Sequence, residues 1–136
     1  MVTLEALNER GVGKLPGFLG ILITRLDAAQ IDAELPIRTE LMAANGFLHA
    51  GSIVTLADTA CGYGCFANLP QGATGFTTVE LKSNHLGTAR EGTIACFAKA
   101  MHLGRNTQVW DAVVTHQQTR KTIALFRCTQ MILYPK

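Results

Sequence analysis

Charge is scarce in this sequence, and its absence narrows the possible functions. Only 16% of the 136 residues are charged, and the formal net charge is +2. Lys and Arg are scattered, with no basic run interleaved with aromatics, so nothing points to a nucleic-acid partner. There is no Walker loop and no dinucleotide fingerprint, which limits nucleotide handling to what a substrate brings with it. Met1 to Gly13 has neither a basic start nor an apolar core, so no signal peptide is expected. The most apolar stretch, residues 49–68, contains Asp58, His49 and three glycines, which argues against a membrane span. The four cysteines, Cys61, Cys65, Cys96 and Cys128, fall inside apolar periodic segments, and no second pair stands at zinc spacing. They read as small buried hydrophobes in a reducing compartment, so the expectation is a cytoplasmic protein with no metal. No repeat, low-complexity tract or internal boundary breaks the chain, and residues 1–136 are expected to form one domain.

What is present is organised around the stretch His49 to Asn68. It has no proline and one formal charge, Asp58. Ile53, Leu56, Ala57, Ala60, Tyr63, Gly64 and Ala67 recur at helical spacing, which predicts a buried helix, apolar nearly all round. A short N-terminal helix is expected within residues 1–13, covering Thr3 to Arg10 with Gly11 as its cap. Lys14 to Gly17 reads as a turn, Phe18 to Leu26 as a strand, and Ile31 to Ile37 as a half-exposed strand ending at Pro36. Residues 38–48 form a linker ending in the turn signal Asn45-Gly46. Four strands follow, near 74–86, 92–102, 107–117 and 121–134, and their short turns predict antiparallel neighbours. The fold class is therefore α+β, one long helix wrapped by a curved antiparallel sheet. A single sheet covers one side of an over-apolar helix, so a second copy of the chain is expected on the other.

A lone carboxylate in a buried helix is costly unless paired, solvated or used. Gly51, Thr55, Asp58, Cys61, Gly62 and Cys65 share one face, a stripe of small side chains beside the acid. At the helix start, Gly46, Ala50 and Gly51 expose backbone N–H groups at the positive end of the dipole, where a carbonyl oxygen can be polarised. His49 beside them either touches a substrate or caps the turn. Ala50 and Asp58 are separated by eight residues, ~12 Å along a helix, so one carbonyl cannot touch both in one chain. A shared reaction requires two chains.

The run from Gly46 to Ala60 resembles the G-x-x-H-G-G-x-x-x-x-L-x-D signature of the phenylacetic-acid-degradation (PaaI-like) hotdog-fold acyl-CoA thioesterases. The segments Thr78 to Leu86 and Leu103 to Thr107 look like that family's strands. The resemblance implies a hotdog fold, dimers and often tetramers, and hydrolysis of an acyl-CoA to the free acid and CoA. CoA is then part of the substrate, and no cofactor is required. Carried over residue by residue, Asp58 becomes the nucleophile or general base, and the Ala50 N–H polarises the carbonyl. His49 orients the substrate, and Thr78 positions water or the carboxylate. Substrate contacts would come from Asn45, Gly46, Gly51 and His85, and CoA phosphate contacts from Arg90, Arg105 and Asn106 in turns. Ala50 replaces the first glycine of the motif, Ala43 the usual Asn or Gln (Asn45 stands two places later), and His85 an aromatic. A hotdog dehydratase and a non-catalytic acyl-CoA-binding module are the competing readings. The first lacks its usual proline-rich His motif, and the second would have lost the acid.

Overall fold

The structure, a computed structural model, describes all residues from Met1 to Lys136. Helix α1, Leu4–Arg10, starts where Thr3 Oγ accepts the Ala6 N–H at 3.1 Å and stops at Gly11. It buries Leu7 completely. The side chain of Asn8 pairs with both backbone groups of Ile23, at 2.8 and 3.1 Å, and so clamps α1 onto the first strand.

The expected turn at 14–17 and strand from Phe18 are corrected. Leu15–Leu19 is a short helix, α2, and strand β1 begins only at Leu22 and runs to Asp27. Pro16 suits a helix's first turn, and Gly20 ends α2 in the left-handed region (φ 93°), donating its N–H to the Pro16 and Gly17 carbonyls. The β-branched residues from Ile21 onward therefore extend only after that cap.

Strand β2, Gln30–Pro36, closes at Pro36 as its composition predicts. A 3-10 turn at Thr39–Leu41 leads to helix α3, Ala50–Ala67. Strands β3 (Gly75–His85), β4 (Thr93–Leu103), β5 (Thr107–His116) and β6 (Thr122–Leu133) match the four expected segments. They join β1 and β2 in one six-stranded sheet of order β1-β2-β4-β5-β6-β3, antiparallel at every pair. The sheet curls around α3 in the hotdog arrangement.

One expected neighbour pair is wrong. β3 and β4 are consecutive yet unpaired: β3 sits at the edge beside β6, and β4 lies between β2 and β5. Three strand spacings, roughly 14 Å, separate them, and residues 86–92, which bend at Arg90 to Gly92, cross that gap at the end of the sheet. The crossing is pinned along its length. Leu86 and Gly87 donate to the Ile123 carbonyl, Ala89 accepts from Leu48, and Gly92 accepts from Ile37.

Helix α3 is held at both ends. Ser52 Oγ donates to the Leu41 carbonyl at 2.8 Å. At the other end, the buried Gln108 donates to the Asn68 carbonyl at 2.9 Å and accepts the Trp110 indole N–H at 2.8 Å. Between these anchors the helix and sheet share a core of 24 buried residues. Gly64 lies directly on Trp110: a Cβ there would stand 2.5 Å from the indole ring. Gly64→Ala is expected to lose more to overpacking against the rigid, buried indole than the ~1 kcal/mol it gains in helix propensity. A net destabilisation of about 1–3 kcal/mol, read from urea unfolding midpoints, is the expected outcome.

Candidate active site

Asp58 lies in the middle of α3, and its Oδ1 is buried with no hydrogen-bond partner. No ion pair in the chain includes it. Burial without compensation pushes its carboxyl above the ordinary carboxylate value. The side chain opens on a cavity of about 200 Å³ between α3 and β3. Asp58 and Gly62 line it from the helix, Phe76 and Thr78 from the strand, and Arg10 and Pro16 from the N-terminal arm. Gly62 makes room for the Phe76 ring, which would stand 3.3 Å from a Cβ at that position.

Thr78 and Asp58 thus share one cavity. Thr78 Oγ donates its proton to Gln130 Oε1 at 2.7 Å, and Gln130 is fully buried and also donates to Cys128 Sγ. With that proton committed, Thr78 can accept from a water molecule but cannot donate to a carboxylate. Gln130 was missed at the sequence level. Its only signal is a polar residue at an inward register position of β6.

The small-residue stripe does not stay together. Asp58 and Gly62 face the cavity, whereas Cys61 and Cys65 are fully buried in the core. A hydrogen bond with Cys128 and burial raise the Cys61 thiol far above its usual range, and burial takes Cys65 to about 12. Neither is a thiolate nucleophile at neutral pH. No group of three or more His, Cys, Asp or Glu side chains is placed to hold a metal ion.

His49 caps α3. Its Nδ1 accepts the Gly51 N–H at 2.7 Å, so the neutral ring carries its proton on the outward Nε2. The Gly51 N–H is consumed in that contact. The Ala50 N–H, first in the helix, has no acceptor in the chain. Ala50 lines a second cleft, of about 310 Å³, together with Asn45 and His85. Asn45 Oδ1 accepts the Phe47 N–H at 3.1 Å, which leaves its amide NH₂ unused. Gly46 takes φ 88° in the same turn and lines an adjoining cleft with Arg38 and Arg90. Arg90 stacks on the Phe47 ring, 4.2 Å from its centroid.

Arg105 and Asn106 lie elsewhere. Their turn is at the far end of the sheet, where Arg105 shares a cleft with Asn68 beyond the C-terminus of α3. An 18-residue helix is ~27 Å long, so Arg90 and Arg105 of one chain do not serve the same end of the site. The cavity at Asp58 and the cleft at Ala50 are likewise separate in one chain.

A family model described as the thioesterase superfamily matches residues 45–123, which contain the helix cap, Asp58 and Thr78. This chain belongs to the thioesterase superfamily. Its sequence is 33% identical over 122 residues to the 1,4-dihydroxy-2-naphthoyl-CoA hydrolase of Escherichia coli K12, covering 88% of this chain and 87% of that one. It is 32% identical over 120 residues to the proofreading thioesterase EntH of Cronobacter sakazakii, with the same shares covered. Among solved structures, a mutant thioesterase from Pseudomonas aeruginosa superposes with a TM-score of 0.91 at 28% identity, covering 98% of this chain and 95% of that one. A Haemophilus influenzae thioesterase gives the same TM-score at 29% identity, covering 98% and 92%. The thioesterase is thus a thioester hydrolase with a hotdog fold. None of its helices is long and apolar enough to cross a membrane.

The unpartnered carboxylate has a consequence for stability. A folded-state pKa above the unfolded value means that the native thioesterase binds this proton more tightly, so stability falls as pH rises from the ordinary value of 3.8. Asp58→Asn is expected to be more stable than the parent at pH 7, and the gap should close below pH ~4. Thermal unfolding across pH 3 to 8 measures this. An Asp58→Asn protein less stable at pH 7 would show that the carboxylate is structurally compensated.

Proposed function

We propose that the thioesterase hydrolyses an acyl-CoA to the free acid and CoA at a site shared by two chains. The observation that carries this reading is the buried, unpartnered Asp58 Oδ1 on an open cavity. Asp58 acts as general base. It takes a proton from a water molecule held by the Thr78 hydroxyl, and the water oxygen attacks the thioester carbonyl. The carbonyl oxygen takes up the negative charge against the free Ala50 N–H of the second chain, where the dipole of α3 adds to the hydrogen bond. The C–S bond then breaks, Asp58 returns its proton to the departing sulfur so that CoA leaves as the thiol, and the acid remains. His49 Nε2–H and the Asn45 amide stand beside that N–H as further donors to the substrate. Arg90, which has no acid partner, attracts CoA phosphate from the rim. The name of the Escherichia coli relative specifies a CoA thioester, which supports CoA as the carrier here. The four free, buried cysteines fit the reducing cytoplasm.

Two observations support the second chain. β3 is an eleven-residue edge strand with exposed Val79 and Leu81. Ser83 Oγ on the same strand is the other buried polar side-chain atom without a partner. Both orphans lie on α3 or the edge strand beside it, where a second copy would supply the missing partner of Ser83 and leave Asp58 to the substrate water. On the outer face, Phe97, Val113 and Leu125 align across three strands and are partly exposed, which supports further pairing into tetramers.

Ala50 permits a clean test. It is the first helical residue, and His49 before it is already extended at φ −67° and ψ 135°, as a residue preceding proline must be. Ala50→Pro should remove the N–H while sparing the helix, and lower kcat about 10²- to 10³-fold in thiol-release assays. Asp58→Asn should be at least as impaired. Mixed after subunit exchange, the two variants should recover part of the activity, because one of the two sites in each heterodimer is intact. Exchange without recovery would rule out the shared site. A single turnover in ¹⁸O-water should put the label in the acid product and none in Asp58. Label in Asp58 would establish the carboxylate as the nucleophile instead.

A further inference from the structure

Arg10 is the one cation on the Asp58 cavity, and no acidic group in the chain pairs with it. No carboxylate lies within ion-pair distance, and no side-chain hydrogen bond engages it. Its guanidinium lies over the Phe66 ring, 3.9 Å from the centroid, so one flat face is occupied and the N–H edges stay free. The placement is built by the fold. The Asn8 clamp on Ile23 fixes α1 against β1, and the end of α1 packs on α3, where a Cβ at Gly11 would stand 3.4 Å from the Tyr63 hydroxyl. Burial raises the Tyr63 phenol, and the Arg10 charge is near enough to pull it partly back.

We propose that Arg10 is a specificity-determining residue that selects acyl groups ending in a carboxylate. The proposal rests on the reading of Asp58 as the catalytic acid-base group. A thioester carbonyl at Asp58 sends the acyl group one way and the pantetheine arm the other. The CoA phosphates lie at the far end of that arm, which is longer than a cavity of about 200 Å³. The part of the substrate that can reach Arg10 is therefore the distal end of the acyl group. Tyr63, Phe66 and Phe76 supply apolar surface for the carbons between. A guanidinium with free N–H edges takes a carboxylate through paired, charge-assisted bonds, about twice as strong as hydrogen bonds between neutral groups.

The test compares kcat/KM for adipoyl-CoA and hexanoyl-CoA, equal in chain length and different only at the far end. The expected ratio for the parent enzyme is about ten- to a hundredfold in favour of adipoyl-CoA. Arg10→Gln should collapse it, Arg10→Lys should keep part of it, and Arg10→Glu should move the preference to 6-aminohexanoyl-CoA. A measurement on the parent alone stands beside the variants: adipate should inhibit about tenfold more tightly than hexanoate. Hydrolysis of both substrates with equal ratios in parent and Arg10→Gln, or equal inhibition by the two acids, overturns the assignment to Arg10 and leaves thioester hydrolysis standing. No thiol release from any CoA thioester overturns both.

Discussion

A single curled sheet has to cover a helix that is apolar on nearly every side, and the rest of the molecule answers to that constraint. α3 is buried over much of its surface, by the curled sheet on one side and by the short N-terminal helices on a flank. Where the helix lies on the sheet, Gly64 leaves the room that the Trp110 ring fills. At the open edge the cover stops at β3, a strand exposed along nearly its whole length. The orphaned atoms of Asp58 and Ser83 occur on the helix and strand that border this edge. Incomplete coverage and unsatisfied chemistry thus coincide, as expected where a fold is finished by another copy of itself.

The same helix sets the geometry of the chemistry. It delivers a free N–H at its first residue and an acid eight residues later, too far apart to meet on one carbonyl. A rigid rod fixes that spacing better than any loop could, and in the proposed mechanism the association of two chains brings donor and acid together. The supporting contacts keep each partner in one role. His49 uses Nδ1 on Gly51 and so must present Nε2–H, and Thr78 gives its proton to Gln130 and so can only accept.

The N-terminal arm shows how a segment with no motif becomes part of a site. α1 is seven residues long and buries one leucine completely, too little to fold alone. It is held by the Asn8 clamp on β1 and by contact with the exposed flank of α3, and this docking sets a guanidinium across a cavity from a carboxylate. α2 depends on the same neighbours, with Arg38 donating to the Phe18 and Leu19 carbonyls at its end.

Local pattern determined a great deal by itself. Helical periodicity was enough to place α3 to within a residue, and strand-like runs bounded by turn signals were enough for the four C-terminal strands, because both signals depend only on residues near in sequence. The single acid in that helix, and its distance from Ala50, were equally legible. Tertiary structure decided what sequence distance hides. β3 lies at the edge rather than beside β4, because a seven-residue link can cross the end of a sheet as readily as turn back. Arg90 and Arg105, alike as turn residues, end up at opposite ends of α3, and Gln130 meets Thr78 from 52 residues away. Arg10 lines the same cavity as Asp58 only because a short helix docks where it does. Periodicity reports which side of an element is buried, but not which element buries it, and the contacts that shape the site are of the second kind.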